Sequence, residues 1–103
     1  MARRLLPGHR DRVIEWLREV DGLRRAEALE SLTAEGVDHE TAMIIDTSDG
    51  PVIIYAMQTD DLERSRAVTD VSPRLVDVEH RSIMRAADAG PAMAQIVLDL
   101  SAG

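Results

Sequence analysis

Residues 37–58 read VDHETAMIIDTSDGPVIIYAMQ, and this stretch decides the fold. Over 37–47 the side chains alternate, with His39, Thr41, Met43, Ile45 and Thr47 on one side and Asp38, Glu40, Ala42, Ile44 and Asp46 on the other. That is a strand period. Ser48-Asp49-Gly50 follows as a hairpin turn, and Pro51 fits the first position of a return strand over 51–58. The return strand does not alternate: 52–57 (VIIYAM) is apolar on both sides. An antiparallel sheet with helices on one face ordinarily shows polar residues on the other. The exposed side of this sheet is therefore expected to meet a second copy, sheet to sheet across a two-fold axis.

The hairpin orders the rest of the chain. Residues 2–6 (ARRLL) predict a short first strand, broken by Pro7-Gly8. From about His9 to Glu35, Val13, Trp16, Leu17, Val20, Leu23, Leu29 and Leu32 recur at three and four, which predicts one long helix with Gly22 loosening its middle and Gly36 ending it. Asp60-Asp61 can cap a helix over 61–69, and a further helix is predicted over 75–88, ending by Gly90-Pro91. Residues 92–100 (AMAQIVLDL) predict the last strand. Strand, helix, strand, strand, helix, strand is the ferredoxin-like βαββαβ order: an α+β domain with a four-stranded antiparallel sheet and helices on one face.

The 103 residues suffice for one domain and a modest core. The net charge of −7 argues against nucleic acid as a partner. The charge is uneven: residues 1–25 hold seven arginines and four acids, 26–63 hold ten acids and no base, and 64–103 balance. No apolar run approaches the ~20 residues of a membrane span, and the first residues lack the apolar segment of a secretory signal, so a cytoplasmic protein is expected. Cysteine is absent, which excludes disulfides, thiolate metal sites and a thiol nucleophile. Lys, Asn and Phe are also absent, a bias that fits a GC-rich genome such as that of a soil actinobacterium. Without Phe the core must be aliphatic, and Trp16 and Tyr55 are the only aromatic surfaces for a ligand.

His80 is the leading candidate for chemistry. On the last helical wheel it falls between Val76, Ile83, Met84 and Ala87, on the apolar side aimed at the sheet. A buried imidazole must be hydrogen-bonded, and its ordinary pKa suits proton transfer; it is either a core histidine with a structural partner or a general acid/base. Glu40 is either a solvated strand end or the carboxylate that orients His80. Tyr55, at the centre of the apolar strand, can fill space or donate to an oxygen that gains charge. Trp16 can wall a pocket, and so can Met43, Met57 and Met84. Arg3 and Arg4 point to opposite sides of the first strand, and the inward one, taken as Arg4, can hold an anionic substrate group. His9, His39 and His80 lack metal-ligand spacing, and phosphate-loop and nucleophile-elbow motifs are missing, so no metal or other cofactor is expected.

Pro7-Gly8-His9 with Trp16 downstream, Glu35-Gly36 followed by Glu40, the Asp49-Gly50 hairpin, Tyr55 and Asp77-Val78-Glu79-His80 together resemble the dimeric α+β barrel superfamily of ferredoxin-like domains. That superfamily includes antibiotic-biosynthesis monooxygenases, small polyketide cyclases, muconolactone isomerases and stress-response barrels; the resemblance is closest to an uncharacterised bacterial family of about this size. It implies a homodimer with a pocket between each sheet and its helices. It further implies a cofactor-free enzyme acting on a small apolar, polyketide-like or aromatic metabolite in secondary metabolism by cyclase, isomerase or dehydratase chemistry. His80 would be the acid/base, Glu40 its orienter and Tyr55 the donor to an enolate. A non-catalytic dimeric ligand-binding or stress-response module and a cofactor-independent monooxygenase are the alternatives. The very short first strand and the scarcity of aromatic residues depart from the quinone-forming monooxygenases.

Overall fold

The computed structural model describes residues 1–102. Its elements are β1 (Ala2–Leu5), a 3₁₀ turn (Pro7–His9), α1 (Arg10–Asp21), α2 (Arg25–Glu35), β2 (Val37–Thr47), β3 (Gly50–Thr59), α3 (Leu62–Val71), α4 (Leu75–Ala87) and β4 (Asp88–Pro91). The strands form one sheet in the order β2-β3-β1-β4, with every neighbouring pair antiparallel. This is the α+β, ferredoxin-like arrangement that the hairpin predicts.

Register explains which side chains meet the helices. Ile44 pairs with Ile53, Ala42 with Tyr55 and Glu40 with Met57, so these six share one face of the sheet. Leu5, Ile53 and Tyr55 on that face pack with Val13 of α1 and Ala87 of α4, and Leu17, Ile44, Ile83 and Met84 close around them. The opposite face carries Met43 and Ile45 of β2, both 47% exposed, beside half-buried Val52 and Ile54. The doubly apolar reading of 52–57 is thus explained: one side is core, and the other is an apolar surface open to solvent.

Three sequence expectations need correction. The long helix is two helices, because Gly22 takes a conformation (φ −110°, ψ −96°) outside the helical region. The consequence is chemical. Leu23 is fully outside the core, and the residues that α2 buries are Ser31 and Glu35 rather than an apolar stripe. Gly36 then ends α2 at φ +71°, the left-handed conformation in which glycine has no Cβ penalty.

The last strand is Asp88–Pro91, and 92–100 lies outside the sheet. The reason is the length of β1. It begins at Ala2, so an antiparallel neighbour runs out of partner where Ala92 N–H donates to Ala2 O (3.1 Å). The third correction follows from the second: the helix expected over 75–88 ends at Ala87, and the Gly90-Pro91 pair belongs to β4 rather than to its terminus.

Candidate functional site

Three elements bring Trp16, His80 and Tyr55 together. Trp16 lies on the inner side of α1 and is 1% exposed. Its indole Nε1–H donates to His80 Nδ1 at 2.9 Å. His80 Nε2 lies 3.3 Å from the Tyr55 hydroxyl, and the two rings meet edge to face with centroids 6.0 Å apart. Arg24 covers the far side of the indole at 5.5 Å from its centroid and is itself held by Glu27 and Glu79.

The indole has no acceptor, so the direction of the first bond assigns the proton. Nδ1 must present its lone pair to Trp16, which leaves the proton of the neutral ring on Nε2. Nε2–H then donates to the Tyr55 oxygen, and the phenolic proton is free to point elsewhere. Protonating Nδ1 would set two donors against each other. Burial holds the His80 pKa below its ordinary value in the same sense, with Arg81 adding to the effect and Asp77 opposing it. Burial also raises the Tyr55 pKa far above that of a free phenol, and the negative charge of Glu40 adds to this.

Glu40 is the diagonal neighbour of Tyr55, across the Ala42–Tyr55 and Glu40–Met57 pairs. Its carboxyl pKa is raised, first by burial and then by the like charges of Glu35 and Asp77; among the described residues no hydrogen bond or cation offsets this. Ala42 and Met57 beside it are exposed, so solvent reaches the helix side of the sheet at this corner. Asp46, further along the same face of β2, is taken by Arg10 in a two-point bond (2.7 and 2.9 Å).

Behind Glu40 runs a layer of serines and carboxylates that periodicity did not reveal. Ser31 donates toward Asp77 (2.6 Å to the nearer oxygen) and lies 2.9 Å from Glu35 Oε1. Ser72 donates to the other Asp77 oxygen at 2.5 Å. Ser65 donates to the Glu35 carbonyl at 2.7 Å and meets Thr59 at 2.9 Å. The available signal was the polar Ser31/Glu35 pair at i,i+4 on a helix assumed to be greasy, and Asp77 one turn ahead of His80. These groups hold α2, α3 and α4 in register and keep negative potential behind Glu40.

The expected site residues divide accordingly. His80, Tyr55, Glu40 and Met57 share the helix side of the sheet. Trp16 is buried behind His80 and does not wall a pocket. Met84 packs into the core. Arg4 and Met43 are on the other face: Arg4 pairs with Val52 and Met43 with Ile54. The inward arginine is Arg3, opposite Ile53, and its guanidinium is bound in a fork to Asp88 (2.8 and 2.5 Å), which removes it as an anion ligand. Among the described residues Glu40 makes no hydrogen bond to His80; the group bonded to His80 Nδ1 is the Trp16 indole. Grooves along α1 (Arg10, Ile14, Arg18) and α4 (Val78, Ser82, Arg85) have no residue in common with this constellation.

Compared with known proteins, residues 2–100 match a family model described as a family of unknown function (DUF6176). No curated protein and no solved structure matches the chain.

Proposed function

We propose, for a chain that belongs to the DUF6176 family, a cofactor-free proton-transfer activity on a small apolar carbonyl compound, polyketide-like or aromatic, leading to isomerisation, cyclisation or dehydration. The observation that carries this reading is a half-buried carboxylate with a raised pKa and, among the described residues, no hydrogen-bond partner, beside a tyrosine whose oxygen already accepts a bond from a fixed histidine tautomer.

The roles follow from the protons. Glu40 is the base and takes a proton from the carbon next to a carbonyl. The C–H electrons become the enolate π bond, and the carbonyl π electrons move to oxygen. Tyr55 donates its hydroxyl proton as a hydrogen bond to that oxygen as it gains charge, which a preorganised donor in a partly dry site does well. The Glu40 carboxyl then returns its proton to another carbon; or the enolate carbon bonds to a second carbonyl carbon, whose π electrons move to its oxygen and take the Glu40 proton; or the enolate electrons re-form the carbonyl and make a new C=C bond as the β C–O bond breaks, the hydroxyl leaving as water with the Glu40 proton. His80 is a positioning residue in this scheme, since both ring nitrogens are engaged, and Trp16 fixes its tautomer. Ala42 and Met57 are the exposed side chains beside Glu40, where a substrate would approach.

The resemblance to dimeric α+β barrels supports a homodimer joined through the apolar sheet face of Met43, Ile45, Val52 and Ile54. A second reading, a dimeric ligand-binding module without turnover, is favoured by the internal satisfaction of the Trp16–His80–Tyr55 chain.

The test is proton exchange in D₂O followed by NMR, with a 1,3-diketone and an aryl ketone as probes. The wild-type protein is expected to accelerate exchange saturably, and Tyr55→Phe to lower the rate roughly 100-fold. Equal rates for the two proteins would remove Tyr55 from the chemistry. Saturable shifts of Tyr55 resonances without any exchange would transfer the site to the binding module.

A further inference from the structure

The chain leaves β4 with an apolar segment that nothing in its own domain covers. In residues 92–100, positions 92, 94, 96, 98 and 100 are all Ala, Ile or Leu, and Met93, Gln95, Val97 and Asp99 lie on the opposite side. Ile96 is 81% exposed, Leu98 73% and Leu100 82%. A strand with one wholly apolar side suits a place where that side is covered, not a free end in water.

The sheet offers such a place. Just before β1 begins, Tyr55 N–H donates to Met1 O (2.8 Å) and the Met1 ammonium donates to Tyr55 O (3.0 Å). Beyond this pair β3 continues through Thr59 with β2 on one side only. Outward-facing backbone groups alternate along a strand, so those of Met57 and Thr59 face the side that β1 no longer occupies. Four residues of β3, Ala56–Thr59, therefore present an open edge in the middle of the sheet, and Met57 on that edge is a neighbour of Glu40. Edges of this kind are templates for another strand.

We propose that the segment 93–100 of a second copy adds to the open edge of β3, extending the sheet and walling the approach beside Met57 and Glu40. Two features select a second copy over the chain's own tail. Extended, the eight residues span roughly 26 Å, about twice what the four-residue edge can hold, which leaves length to bridge two bodies. The tail also lies free although its own edge is near, while the same chain carries a second unpartnered apolar surface at Met43, Ile45, Val52 and Ile54. A two-fold pairing covers both surfaces at once, each reciprocally. This inference rests on the dimer suggested above and adds that the partner completes the site.

The absence of native cysteine makes the experiment clean. Protein carrying Ala56→Cys is mixed with protein carrying Ala94→Cys, Ile96→Cys or Leu98→Cys, and disulfides are read by mass together with light scattering. At least one tail position is expected to give a linked heterodimer. Ile96→Asp combined with Leu98→Asp is expected to weaken dimerisation at least tenfold while circular dichroism stays unchanged. Cross-links found only within single chains of the Ala56→Cys/Ile96→Cys protein would overturn the exchange, and so would an unchanged dimer in the aspartate variant, which would leave the sheet-face dimer standing. A monomeric wild-type protein would remove both.

Discussion

Trp16→Ala is expected to lower the unfolding free energy by about 3–5 kcal/mol, the range for removing a large buried aromatic side chain. The indole is among the largest fully buried side chains, it carries the guanidinium of Arg24 on one face, and its N–H occupies His80 Nδ1. Urea unfolding measures the loss. Trp16→Phe separates packing from proton control. It keeps most of the ring but removes the donor, so Nδ1 becomes free to accept a proton and the His80 pKa rises toward its ordinary value. The wild-type signature is a neutral ring with the proton on Nε2, read from nitrogen-detected NMR couplings. Its linkage to stability has a definite sign. The folded-state pKa of His80 is lowered, so its contribution is fully present above the unfolded value near 6.5 and is lost as pH falls through the lower folded value. That acid-side loss should shrink in Trp16→Phe. A variant with unchanged stability, or a His80 that titrates identically in both proteins, would refute the assignment.

Glu40→Gln is expected to reduce the proton-exchange rate by roughly 10²–10⁴-fold, the range for removing a general base, while raising stability at neutral pH. The two effects have opposite signs for one reason. The Glu40 pKa is raised, so its carboxyl contributes stability below the unfolded value and loses that contribution as pH rises through the folded value; an uncharged amide does not lose it. A merely structural glutamate would lose stability on substitution. The wild-type rate should climb with pH with a midpoint above the ordinary 4.5 of a glutamate, because burial, Glu35 and Asp77 all oppose ionisation. Replacing Asp77 by Asn removes one of these charges and should move the midpoint to lower pH. Rate profiles with the 1,3-diketone probe check both statements, and a Glu40→Gln protein that retains full exchange would exclude Glu40 as the base.

The legible part of the chain was the part whose pattern is local. The period of two in 37–47, the Asp49-Gly50 turn and the inward stripe of Val76, His80, Ile83 and Met84 each encode their own geometry, and from these follow the ferredoxin-like order and a His80 aimed at the sheet. What remained hidden depends on partners distant in sequence. Whether 92–100 joins the sheet is decided by where β1 starts, 90 residues away. Arg3 and Arg4 differ by one residue of register, and only their pairing with Ile53 and Val52 shows which one points inward. The Trp16–His80 bond spans 64 positions. A stripe of leucines spaced at three and four also does not reveal that Gly22 turns the chain and brings Ser31 and Glu35 inward instead.

The serine–carboxylate layer between α2, α3 and α4 has a thermal consequence. Exposing apolar surface raises the heat capacity of unfolding, and exposing polar surface lowers it. Ser31, Glu35, Ser65 and Ser72 are buried in this domain alongside a small apolar cluster. Its heat-capacity increment should therefore fall below the usual 12–15 cal/mol/K per residue, about which most globular domains cluster. Scanning calorimetry at several pH values measures it directly. A smaller increment flattens the stability curve, so the fold should resist both cold and heat over a wider span than its few buried aliphatic side chains suggest.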